Sequence, residues 1–211
     1  MIFMGTRLYM EATTEESINQ RSTALVLLST RSIGSYKSVD DMVKNKEAKS
    51  LWGNQFSLLH VYLPMLHQYE ESLNPLKFVQ ETQNIIRRKR NSGAVYLTGL
   101  MLESMRKYRG PEVAAKYIHT TIKNSSMSVS NMIGPLEKMS LSNQPIKGLY
   151  FMAANVPQNL MVTITSYMDQ LRVAVGSDKC LIDPMKFETC IKKAFTMIFD
   201  DAIKSKGHDK W

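Results

Sequence analysis

Four histidines, two cysteines and one polar strand end are the groups in this 211-residue chain whose types could do chemistry. His60, His67, His119 and His208 stand apart. None is spaced with a cysteine or another histidine as a zinc site requires, so no metal site is expected. His60 and His67 flank the segment VYLPML and could approach a cleft. A lone imidazole is nevertheless more often satisfied or solvated than functional, and His208 lies in a polar tail. Cys180 and Cys190 are too few for a disulfide framework and read as buried free thiols in a reducing compartment. No nucleophile elbow, phosphate-binding glycine loop or paired-carboxylate motif is present, so no catalytic residue is assigned.

The strand end is VSNMIGPLEKM, residues 129–139. Gly134-Pro135 ends a strand or makes a turn. Ser130 and Asn131 just before it either hold that turn or face a ligand, and both readings stay open. The run Arg87-Arg88-Lys89-Arg90 closes a helix, where cations complement the dipole. It could also meet anionic headgroups or phosphates, though a solvated helix end is the simpler reading. Nucleic-acid binding would interleave such cations with aromatics on one surface; that arrangement is missing, and no nucleic-acid partner is expected. Fifteen methionines could line an adaptable apolar site, but core filling accounts for most of them.

The elements that must position these groups follow from periodicity. Ile2, Phe3, Tyr9 and Met10 fit a helix with no cap before it, as though the chain began inside an element. TALVLLSTR (23–31) reads as a buried strand, SVDDMVKN (38–45) as a short helix capped by Ser38, and NQFSLLHVYLP (54–64) as a second strand. Asn74-Pro75 starts a helix whose face is Phe78, Val79, Thr82, Ile85 and Ile86. Residues 94–108 form another, with Tyr96, Leu97, Leu100, Met101 and Met105 in line. Gly110-Pro111 starts a third, striped by Val113, Ala114, Tyr117, Ile118, Thr121 and Ile122. Segments 147–154, 160–167 and 170–175 alternate as strands, with a turn at Met168-Asp169 that lacks the usual glycine. Asp183-Pro184 caps a last helix with Phe187, Cys190, Ile191, Ala194, Phe195, Ile198 and Phe199 inward. The fold class is α/β (α+β): a two-layer sandwich of helices on a mixed or antiparallel sheet.

Composition bounds the partners. Lys plus Arg is 27 and Asp plus Glu is 19, a formal charge of +8 that suits an anionic surface or ligand. MIFMGTRLYM shows neither a cleavage site nor a basic leader, so no signal peptide is expected. No stretch approaches the roughly 18 apolar residues of a spanning helix.

Taken in order over residues 1–206, the segments GTRLYM, ALVLLSTR, WGNQFSLLHVYLP, SNMIGP and PIKGLYFMAANVPQNLMVTITSYMDQLRVAVGSDK, with the final helix, resemble the C-terminal half of plant wax ester synthase/diacylglycerol acyltransferases. Residues 130–178 carry the most specific part of the likeness. The resemblance implies a chloramphenicol-acetyltransferase-like C-terminal domain over 21–206, with 1–20 as the remnant of an inter-domain helix and linker and 207–211 as a disordered tail. It implies transfer of a fatty acyl group from acyl-CoA, a substrate and not a cofactor, to diacylglycerol or a long-chain alcohol. The family's HHxxxDG motif, whose second His acts as general base, is nowhere in the sequence. A non-catalytic acyl-CoA- or lipid-binding module of the same ancestry is therefore the alternative.

By the same resemblance, Ser130, Asn131, Gly134 and Pro135 face the acyl-CoA tunnel, with Gly134 allowing close approach to ligand. The competing reading is that Asn131 and Gly134 only shape the turn. Arg31 would pair with the Asp of HHxxxDG across the domain interface, because a buried Arg needs such a partner. The implied partners are acyl-CoA, the acceptor, a membrane surface, and the N-terminal domain or a homologue. The implied location is the endoplasmic reticulum membrane or the plasma membrane.

Overall fold

The computed structural model describes residues 1–13, 21–29, 56–66, 74–153 and 157–208. Arg31, His67 and the helix expected at 38–45 lie outside the described residues, as do positions 14–20 and 209–211.

Helix α1 (Ile2–Thr13) precedes strands β1 (Thr23–Ser29) and β2 (Phe56–Tyr62). Helices α2 (Pro75–Asn91), α3 (Ala94–Arg109) and α4 (Pro111–Lys123) follow. Strand β3 (Met127–Ile133) leads to a short hairpin, β4 (Ser140–Leu141) and β5 (Gln144–Pro145). Strands β6 (Leu160–Tyr167) and β7 (Gln170–Ser177) and helix α5 (Pro184–His208) complete the chain.

Five strands form one mixed sheet in the order β2-β1-β3-β6-β7. The central strands β1, β3 and β6 are parallel, and the two outer pairs are antiparallel. Strands inside a parallel sheet are covered on both faces and lose simple alternation. Strand β6 shows this: Leu160 to Thr163 are all buried, although the sequence predicts one apolar face. At the turn after β6, Met168 and Asp169 both adopt positive φ, 49° and 57°. That is the two-residue turn whose twist matches a hairpin, made without glycine.

Residues 146–153 do not form the strand expected at 147–154. They cross the second face of the sheet, where side chains of β6 hold their backbone. The Thr163 hydroxyl donates to Phe151 O at 2.5 Å, and the Tyr167 hydroxyl donates to Ile146 O at 3.1 Å. Gln158 bridges the hydroxyls of Ser125 and Ser128 beside them. Buried polar groups are satisfied this way without a sixth strand.

The first face carries the core, with Ala24, Val61, Met127, Val129, Leu160 and Val162 meeting α1, α2 and α5. Helices α1 and α5 approach closely at Gly5, where an added Cβ would lie 2.9 Å from Ile191 Cα. Tyr9 packs edge-on against Phe187 at 5.5 Å. Arg7 bolts α1 to the chain after β2: its Nε donates to Pro64 O at 2.8 Å and a terminal nitrogen to Leu63 O at 2.7 Å.

Several inward assignments need correction. Phe195 and Phe199 are exposed and stack on each other, because α5 turns its Phe187–Ile191–Ala194 line toward α1. Met101, Met132, Met152, Met168 and Met185 are exposed, whereas Met4, Met127 and Met161 are buried. Cys180 is exposed in the turn after β7, its N–H bonded to the Asp178 carboxylate, and Cys190 is half-buried.

Candidate functional site

Alternate residues of a strand share a face, so Met127, Val129 and Asn131 of β3 lie on the core side. The first two are buried and Asn131 is exposed. There the core opens into a cleft of about 820 Å³. Its floor is Val26, Val129 and Ile164, side by side because Val26 pairs with Val129 and Asn131 with Ile164 in the sheet register. One wall is α2 and the other is the start of α1.

Local chemistry fixes the α2 wall. Asn74 caps the helix, its side chain accepting from Lys77 N at 2.9 Å, and Pro75 occupies the first turn. Asp201 of α5 accepts from Leu76 N at 3.2 Å and ties down the same end. The row Phe78, Thr82, Ile86 and Arg90, four residues apart, then runs along the cleft. It leads from a buried aromatic to an exposed guanidinium. Arg87, Gln83 and Asn91 also line the cleft. An arginine is charged at any ordinary pH, so the cleft is apolar within and cationic toward the end of α2.

The structure separates the four strand-end residues. Asn131 enters the cleft lining. Ser130 points to the other face, 6% exposed, in register with Thr163. Gly134 is buried, and the space its side chain would take is occupied by the Ser166 carbonyl; its N–H donates to Ser166 Oγ at 3.3 Å. The close approach at Gly134 is thus between two strands' backbones. Pro135 follows, half-buried.

His60 is not in the cleft. It lies on the opposite face of edge strand β2, exposed, paired in register with Leu25. Partial desolvation, and then nearby Lys89, lower its pKa. His119 is exposed on α4. Among the described residues no group of three metal-ligating side chains gathers. The cleft can therefore hold an elongated apolar molecule with an anionic end, and its lining has no Asp, Glu, His, Cys, Tyr or Lys side chain to move a proton. Periodicity found the α2 face but could not show that a cleft separates it from the sheet.

Residues 52–199 match the profile of the WS/DGAT C-terminal domain. The chain belongs to the wax ester synthase/diacylglycerol acyltransferase family. Two similar relatives from Arabidopsis thaliana are wax ester synthase/diacylglycerol acyltransferase 6, 33% identical over 171 residues, and 4, 32% identical over 168. Each alignment covers 79% of this chain and 31% of the relative. The chain thus spans about a third of the length of these WS/DGAT relatives. The wax ester synthase/diacylglycerol acyltransferase from Marinobacter aquaeolei VT8 shares the fold, with a TM-score of 0.54 at 14% identity over 95% of this chain and 42% of that one. The α/β fold with a mixed sheet and the C-terminal-domain assignment expected from the sequence are the ones found.

Proposed function

We propose that this chain is the C-terminal part of an O-acyltransferase that moves a fatty acyl group from acyl-CoA to diacylglycerol or a long-chain alcohol. In that reaction the acceptor hydroxyl attacks the thioester carbonyl and coenzyme A leaves as its thiol. The observation that carries the reading is the cleft. Phe78 to Arg90 spans about 18 Å of helix, the scale of a long acyl chain. Arg87 and Arg90 stand where the phosphates of coenzyme A would need cations. Asn131, the polar member of the floor's strand, offers its amide to the polar end of the ligand.

The residues in hand bind and orient; they do not activate the hydroxyl. General-base assistance contributes about 100- to 10,000-fold, and the 211 residues contain no HHxxxDG to supply it. Purified chain should therefore bind palmitoyl-CoA yet release no coenzyme A with either acceptor. Isothermal titration and a thiol-release assay test the two halves. Turnover by the chain would show that a histidine outside the cleft acts as base, and absent binding would remove the acyl-CoA reading altogether.

A further inference from the structure

Between Arg87 and Lys123 lie nine of the chain's 27 basic residues and only two of its 19 acidic ones. Nine against two gives this segment +7 of the formal +8, so the charge is concentrated and not spread. The same segment holds the α3–α4 pair, and α3 has two apolar faces. Leu102 and Met105 are half-buried toward the protein, beside Thr98 and Gly99. Tyr96, Leu97, Leu100 and Tyr108 turn outward, 68, 67, 63 and 77% exposed. At 3.6 residues per turn these four share one side of the helix, with exposed Ser104 and Lys107 among them. Scattered exposed apolar residues are ordinary, but Tyr96, Leu97 and Leu100 clustered within two turns, with Tyr108 further along the same side, mark an interaction surface.

We propose that the α3–α4 hairpin docks this protein on an anionic lipid surface. The leucines enter the boundary between headgroups and acyl chains, and the tyrosines sit at headgroup level, apolar ring inward and hydroxyl in water. Arg106, Lys107, Arg109 and Lys116, with Arg88 and Lys89, meet the lipid charges. A second copy of the chain is the poorer occupant, because it would bring the same +7 against itself. Docking there also places the cleft. Arg87 and Arg90 line it near the end of α2, and only Ser92 and Gly93 separate that helix from α3. A lipid ligand would then reach the cleft from the bilayer beside it. The inference deepens the acyl-transfer reading, and its test is independent of acyl-CoA binding.

The experiment is co-sedimentation of the full 211-residue chain with vesicles of phosphatidylcholine alone or mixed with phosphatidylserine. Binding is expected to the anionic vesicles, weakened by added salt, with little to the neutral ones. The double variant Leu97→Ser/Leu100→Ser should bind at least about tenfold more weakly while melting like the parent, since both residues are exposed. Each cation near an anionic surface is worth about fivefold, so Arg106→Gln/Lys107→Gln/Arg109→Gln should lose on the order of a hundredfold and much of the salt dependence. Fluorescence of Leu100→Trp should be quenched by brominated phosphatidylserine.

Unchanged binding by both multiple variants, or an unquenched Trp, overturns the proposal. So does a dimer that Leu97→Ser/Leu100→Ser dissolves in a chain that ignores vesicles. Palmitoyl-CoA affinity measured alongside separates the two readings: acyl-CoA binding without vesicle binding defeats the docking surface alone. Vesicle binding without acyl-CoA binding supports docking and defeats the acyl-CoA reading.

Discussion

Arg7 shows how much one side chain can hold. Its guanidinium is buried and bonded to the carbonyls of Leu63 and Pro64, two residues that are themselves buried. Burial lowers its pKa, and Glu11 partly offsets that. Arg7→Met would fill the volume but strand two carbonyls, so unfolding in urea should show a loss of about 3 kcal/mol. His60 makes a prediction about pH. Its folded-state pKa is lowered, first by desolvation and then by Lys89. The unfolded chain takes up a proton near the ordinary value of about 6.5 while the folded chain resists it. Stability should be full above that pH and fall as pH drops from there through the lowered folded-state value. Urea titrations at pH 7 and pH 5 should show a smaller difference in His60→Gln than in the parent, and an identical difference would remove His60 from the account.

At the scale of elements, local signals were legible wherever they are set by one or two residues. Asn74-Pro75 and Asp183-Pro184 name their helix starts, and both carboxamide and carboxylate accept the expected backbone N–H groups. What the sequence hid is which face of an apolar element meets the protein. Helix α3 is apolar nearly all round in its first turns, and only packing decides that Leu102 goes in and Leu100 out. Phe195 and Phe199 have the right spacing for a core stripe, yet the tight Gly5–Ile191 contact rotates α5 away from them. That contact can be tested by sign. Gly→Ala in a helix interior ordinarily gains up to about 1 kcal/mol, and Gly99→Ala, with open space around it, should do so. Gly5→Ala meets Ile191 and should instead cost about 1–3 kcal/mol. Two gains of equal size in thermal unfolding would mean that the helices are not in close contact.

The whole molecule combines a sheet legible in part with a cleft that was not legible. The antiparallel β6–β7 pair and the strands β1 and β2 stand out in the sequence, whereas 147–154 alternates and is not a strand. Alternation reports that one side is covered, and a segment lying over a sheet face meets that condition as well as a strand does. Asn131 could be singled out from the polar strand end, but its partners in the cleft come from α1, α2 and β6, brought together only by the tertiary fold. No helix among the described residues is long and apolar enough to cross a membrane. The central claim is that the cleft between α2 and the sheet receives the acyl chain. The direct test is Thr82→Trp, which puts a ring into the cleft from a half-buried position of α2. Palmitoyl-CoA affinity measured by isothermal titration should fall at least about tenfold, or 1.4 kcal/mol, with coenzyme A alone and thermal stability unaffected. Undiminished palmitoyl-CoA binding by a folded Thr82→Trp chain would place the acyl chain elsewhere.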